Sequence, residues 1–172
     1  ILPEDLLILN LNDSKKISEK KREPLFKEIK KQALDYAIEA IDSKVVDKIN
    51  ILQATFLAMS RAVFKLKIKP DLCLIDGNNC VPSLSAFKQK SIISGDKKSA
   101  SIAAASILAK VTRDRMMFNY AKYYKIYYFE KNKGYGTKKH IEALKKYGIC
   151  PIHRVTFAPV KNTINNTSKE SP

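Results

Sequence analysis

Apolar residues recur at intervals of three and four over most of this chain, and alternate or run together over a few short stretches. Leu25, Ile29 and Leu34, with Phe26 and Ala33, predict one buried side of a helix. Ser18 is placed to cap it. Pro24 lacks the amide hydrogen that an interior helical position needs, which favours a start nearer Glu23. Residues 34–42, "LDYAIEAID", alternate and predict a strand. Ser43 suits a short turn, and Asn50 suits the cap of a longer helix whose face carries Leu52, Phe56, Met59 and Val63. Pro70 ends anything helical. The run "LCLID" predicts a buried strand ending at Asp76, followed by a Pro/Ser/Asn loop and a short strand "SIIS" at 91–94. Gly95-Asp96 then leads into "SASIAAASILAKVTRDRMMFNYAKYY", a long helix with small residues at its start that permit close approach to a neighbour. "KNKGYGT" is a loop, Thr137 caps "KKHIEALKKY", and Gly148 ends it. Residues 1–11 are apolar but broken by Pro3, "NDSKKIS" is polar and turn-like, and residues 161–172 carry no periodicity and are expected to form a flexible tail. Strand–helix alternation over 71–118 points to an α/β domain with some parallel pairing.

Length and charge narrow this picture. A chain of 172 residues fits one domain of ordinary size. With 32 basic and 17 acidic side chains the net charge is +15, which suits a polyanionic partner such as nucleic acid. The same excess also fits a composition rich in Lys, Ile and Asn throughout, with the lysines scattered over every segment. Cys73, Cys80 and Cys150 are irregularly spaced, no Cys-x-x-Cys occurs, and there are two histidines, a pattern that argues against structural zinc. A reducing cytoplasm is the expected location. No run approaches 18 apolar residues, and no signal peptide is visible.

Asp76 is the first residue to suggest chemistry. It closes a buried strand and precedes Gly77, the position at which α/β proteins place ligands. Asp-Gly is equally a common turn dipeptide, so the dipeptide alone leaves both readings open.

The surrounding segments decide more. "NDSKKIS", "NILQATFLAM", "LIDGNNC", "SGDKKSASIAAASILAKVTRDRMM", "KGYGTKKHIEALKKYG" and "PIHRVTFAPV" occur in that order. Together they closely resemble bacterial ribonuclease HII, from about Leu11 to Lys161. The resemblance implies a ribonuclease-H-like α/β fold over residues 1–160, with a mixed central sheet flanked by helices. It implies an endonuclease that cuts the RNA strand of RNA–DNA hybrids and cuts at ribonucleotides embedded in duplex DNA, acting as a monomer. It also implies Mn2+ or Mg2+ held by four carboxylates. Two of these match here, Asp76 and Asp96, as metal ligands and catalytic residues. The other two belong to an Asp-Glu-x-Gly-Arg-Gly motif on the family's first strand, which these residues do not contain. By alignment order, Ile1-Leu2 fall near the end of the family's second strand, so the first strand and most of the second are expected to lie outside this chain. Phosphodiester hydrolysis requires an activated water and a stabilised leaving oxygen, and hard cations held by carboxylates supply both.

The same resemblance assigns nucleic-acid contacts to Asn12, Ser14, Lys15, Lys16, Lys110, Arg113, Tyr135, His153 and Arg154. Tyr135 is implied to stack on the sugar beside the scissile ribonucleotide; read from the residues alone, an aromatic in a glycine loop also suits a lid over the core. The family shows His-Arg-Arg-Ser-Phe where this chain has His153-Arg154-Val155-Thr156-Phe157, so a second basic contact is missing there. Asp114, between two arginines, is a competing carboxylate, better read as a surface ion-pair partner. His140 reads as structural or surface. A noncatalytic hybrid-binding module, or an inactive fragment with half a metal site, is the competing function.

Overall fold

A computed structural model of the chain describes residues 1–4 and 17–167. Two compact units emerge, residues 1–40 with 55–112 and residues 41–54 with 113–172.

The first unit is built on a two-stranded parallel sheet, β1 (Cys73–Asp76) and β2 (Gln89–Ile92). Parallel strands need a long crossover, and residues 77–88 supply it through a 3-10 turn at Pro82–Leu84. The Gln89 side chain pins this crossover. Its carbonyl oxygen accepts from Val81 N–H at 2.8 Å, and its amide donates to the Val81 and Leu84 carbonyls at 3.1 and 2.9 Å. Cys73 and Ile75 alternate inward and pack with Val81, Leu84, Phe87 and the face Phe56, Met59, Val63 of α2 (Ser43–Lys65). Leu52, predicted on that face, is instead exposed. Asn50 departs from helical geometry, at φ 66°, and its side-chain oxygen accepts from Leu52 and Gln53 N–H at 3.0 and 3.1 Å. It therefore caps the segment after it, as expected, and Leu52 falls in the first turn beyond the kink.

Helix α1 (Glu19–Gln32) buries Phe26 and Ile29 against Ala104, Ile107, Leu108 and Val111 of α3 (Ala100–Tyr123). Burying one such branched aliphatic side chain contributes about 1.5–3 kcal/mol. The start at Glu19 corrects the expectation of Glu23: Pro24 sits inside the helix, which forgoes one bond there, and Ser18 precedes it without a side-chain cap. The small residues at the start of α3 act as anticipated, with Ala103 and Ala104 buried.

Two other expectations are corrected. Residues 34–42 form no strand. Leu34 is exposed, and the segment is held by Asp35, whose carboxylate accepts from Lys67 N–H at 2.6 Å and Ile68 N–H at 3.0 Å. The path is extended, its main chain meets that of Ile1, with Leu34 N–H donating to the Ile1 carbonyl at 3.0 Å and the Ile1 amino group to the Asp35 carbonyl at 2.8 Å, and no ladder forms. The strand expected at 91–94 lies at Gln89–Ile92, because Ser94 turns the chain in a left-handed conformation at φ 55°. Among the described residues the sheet is a small parallel one flanked by helices, in keeping with the expected α/β class.

The second unit packs Tyr127, Phe129, Ala143, Leu144, Cys150 and Val160 into one core. It contains α4 (Phe129–Asn132), α5 (Lys138–Tyr147) and α6 (Ala158–Thr167). Thr137 caps α5, its hydroxyl accepting from His140 N–H at 3.4 Å, and Gly148 N–H closes the end on the Leu144 carbonyl. Helix α6 covers much of the segment that lacked periodicity: Val160 and Thr163 are buried, too few positions to register as a pattern.

Candidate active site

Parallel pairing explains how Asp76 and Gly95, 19 apart in sequence, meet. The register sets Asp76 opposite Ile92, and Gly77 N–H donates to the Ile92 carbonyl at 3.0 Å. The strained turn at Ser94 then brings Gly95 N–H onto Asp76 Oδ1 at 2.8 Å, and the next residue is Asp96. Backbone strain of this kind persists where surrounding bonds hold it. Glycine at 95 allows the close approach. A Cβ there would lie 2.5 Å from Ile102 Cδ1 and 3.3 Å from the Asp76 carboxylate. Asp76 is exposed and Asp96 half-buried.

These carboxylates are hard oxygen donors of the type divalent cations take. Among the described residues no group of three or more His, Cys, Asp or Glu side chains is placed to hold a metal. The donors therefore fit a divalent cation in kind, and they are two of the four that the resemblance implies.

In the second unit, Tyr135 stands on a tightly held loop. Buried Asn132 organises it: its side-chain oxygen accepts from Gly134 N–H at 2.8 Å, its carbonyl accepts from Tyr135 N–H at 2.8 Å, and its amide donates to the Tyr127 carbonyl at 2.6 Å. Gly134 takes φ +80°, and a Cβ there would meet Met117 Cε at 3.2 Å. The Tyr135 ring is 58% exposed, so it is not laid over the core, and the Arg113 guanidinium sits 4.9 Å from its centroid. Such a contact contributes about 0.5–1 kcal/mol at an exposed position. Arg113 also pairs with Asp114 at 3.7 Å. Asp114 is buried rather than on the surface, which corrects its reading as a surface partner.

Lys110 is half-buried on α3. Arg154 is half-buried, its guanidinium 4.8 Å from the centroid of the Phe157 ring. The two departures after it have a use. Asp47 accepts from Val155 N–H at 2.8 Å and from Thr156 N–H at 3.0 Å, and it takes the Thr156 hydroxyl as well. Burial alone would raise the Asp47 carboxyl, but the bonds from Thr156 and Val155 and the nearby Arg154 charge hold it below the ordinary carboxylate range. Sequence reading missed Asp47, since 108 residues separate it from Val155. Asn12, Ser14, Lys15 and Lys16 lie outside the described residues.

His153 is turned inward and buried, with its partners inside the protein. The Cys150 N–H donates to Nδ1 at 2.9 Å, and Nε2 lies 3.0 Å from His140 Nε2. His140 is structural rather than surface, with 3% of its area exposed. Burial first, then the neighbouring His140, lowers the His153 pKa from 6.5 to about 4. The folded value is depressed for a base, so below pH 6.5 the unfolded chain takes up a proton that the folded chain refuses until about pH 4. Stability is therefore expected to fall with pH across that window, by at most about 1.4 kcal/mol per unit from this group. Urea melts from pH 7 to 4 should show the slope, and His153→Phe should flatten it. An equal slope in both proteins would show that other groups set the acid sensitivity.

A model of the family described as Ribonuclease HII matches residues 3–160. A ribonuclease HII of Endomicrobium trichonymphae is 68% identical over 167 residues, covering 97% of this chain and 79% of its own length. One of Caldicellulosiruptor bescii is 52% identical over 165 residues, covering 96% of this chain and 78% of its own. Among solved structures, the ribonuclease H2 of Pyrococcus horikoshii matches with a TM-score of 0.78 at 24% identity, covering 94% of this chain and 83% of that one. That likeness is one of fold, and it agrees with the expected ribonuclease-H-like architecture.

Proposed function

Because this chain belongs to the ribonuclease HII family, metal-dependent endoribonucleases of the ribonuclease H type, we propose that it cuts the RNA strand of RNA–DNA hybrids and cuts at ribonucleotides embedded in duplex DNA. The observation that supports this reading is the bond from Gly95 N–H to Asp76 Oδ1, which ties the residue before Asp96 to the carboxylate that ends β1. These two would hold Mn2+ or Mg2+, which when bound supplies Lewis-acid stabilisation of phosphate charge. The chain's own residues do the positioning. Gly95 N–H fixes one oxygen of Asp76, so the carboxylate is oriented before any ligand arrives. In the second unit, Tyr135 offers an exposed ring for a sugar or base, with Arg113 against it to meet phosphate. Lys110 and Arg154 add positive charge. His153 is buried among internal partners, so of the His-Arg pair Arg154 is the one we assign to phosphate.

The test is cleavage by the full-length protein of a duplex carrying one ribonucleotide, and of a continuous hybrid, with manganese, magnesium or chelator. Metal-dependent cutting 5′ or 3′ to the ribonucleotide supports the reading. Duplex binding without cutting at saturating metal would favour the noncatalytic hybrid-binding module.

Electrostatics adds a separate expectation. With a net charge of +15, hybrid affinity should fall with salt at a log–log slope of about −0.9 per phosphate neutralised. Titrations at several salt concentrations measure it. A flat response would mean that the scattered lysines only reflect composition.

A further inference from the structure

The two histidines are the only ones in the chain, and both are buried in the second unit's core. Hydrogen-bond accounting fixes the protons on them. The Cys150 N–H can only donate, so His153 Nδ1 accepts and the ring carries its proton on Nε2. The contact of 3.0 Å between the two Nε2 atoms then requires His140 Nε2 to accept. That leaves the His140 proton on Nδ1, which lies 2.9 Å from the Tyr135 carbonyl oxygen and donates to it. The chain of donors runs from Cys150 N–H through His153 and His140 to Tyr135, each atom in its only consistent role.

The Tyr135 carbonyl also accepts from Thr137 N–H at 2.8 Å, so two donors fix it from different directions. The tyrosine main chain is thus anchored at its carbonyl by the histidines and at its amide by Asn132, while the ring stands outward. The turn at the far end is closed twice, because His153 N–H also returns to the Cys150 carbonyl at 3.0 Å.

We propose that His140 and His153 form a hydrogen-bonded relay that positions the Tyr135 loop, and through it the Tyr135 ring, for contact with nucleic acid. This rests on the reading of Tyr135 as a substrate contact. Neither histidine touches substrate; both are positioning residues. The rings facing the pair are Tyr127 and Phe129. The titratable groups beside it are Tyr127 and the Cys150 thiol, both raised by burial and so uncharged near neutral pH. Tyr127 gives its hydroxyl proton to the Gly148 carbonyl at 3.0 Å and does not compete for the relay.

The experiment is a double-mutant cycle in the full-length protein, read by single-turnover cleavage of a duplex with one ribonucleotide. His140→Phe keeps the ring volume and loses the donor; His140→Asn keeps a donor near the position of Nδ1. The relay predicts a loss of about three- to tenfold for His140→Phe, the range of one net hydrogen bond. His140→Asn should restore the rate to within about twofold, and the loss should vanish in a Tyr135→Ala background. A loss of equal size in both backgrounds would overturn the proposal and assign the pair to core packing. If Tyr135→Ala alone has no effect, the substrate reading of Tyr135 fails, and the positioning role fails with it. Nitrogen NMR of the two rings judges the relay by itself: protons on Nδ1 of His140 and Nε2 of His153 support it, and the reverse pattern refutes it.

Discussion

Asp76→Asn should lower metal-supported cleavage by at least about 100-fold, a loss typical of removing one key electrostatic group from an active site. The substitution is chosen for what it spares. Asparagine keeps a side-chain oxygen that can accept from Gly95 N–H, so the turn that carries Asp96 stays in place. Only the negative charge and one anionic donor are lost. Asp76→Ala removes the acceptor as well, and should add a stability cost of about 0.5–1.5 kcal/mol for the missing bond. Comparing the two by thermal melting and by cleavage in manganese or magnesium separates ligation from turn-making. Near-full activity of the asparagine variant, with an unchanged melt, would place the metal elsewhere and reduce Asp76 to a turn residue.

Tyr135→Ala should cost about 5- to 150-fold in cleavage, the equivalent of the roughly 1–3 kcal/mol that an aromatic stacking contact contributes. Tyr135→Phe should stay close to the parent, because the ring supplies the stacking surface and its contact with Arg113. The loop itself should survive both changes. The bonds described above run through the main chain and through the Asn132 and His140 side chains. The measurement is single-turnover cleavage beside a urea melt for each variant. Equal cutting by alanine and phenylalanine variants, both folded, would leave the exposed ring without a role in the substrate complex.

Local chemistry was readable where one residue sufficed to decide an outcome. Thr137 and Gly148 bound α5 because a cap and a stop act within one helical turn, and Asn50 capped the segment after it for the same reason. The face of Phe56, Met59 and Val63 was legible because a 3.6-residue period places those side chains on one side of a helix. Asp76 at a strand end was legible, and its flanking motifs carried the family. Other outcomes depended on partners distant in sequence. Alternation in 34–42 predicted a strand, but Leu34 and Tyr36 are exposed, and the Asp35 carboxylate takes the Lys67 and Ile68 amides, which lie 32 and 33 residues away. The departures at Val155 and Thr156 looked like a lost basic contact until Asp47 was found holding both amides. His140 and His153 carried no sign of each other, since 13 residues of helix and turn separate them and neither sits in a metal-binding spacing. Periodicity and capping are one-dimensional because they act over a few residues, so the chain states them directly. Which buried donor meets which acceptor is settled only when packing excludes water, and each polar group must then find a partner among whatever the fold has brought beside it.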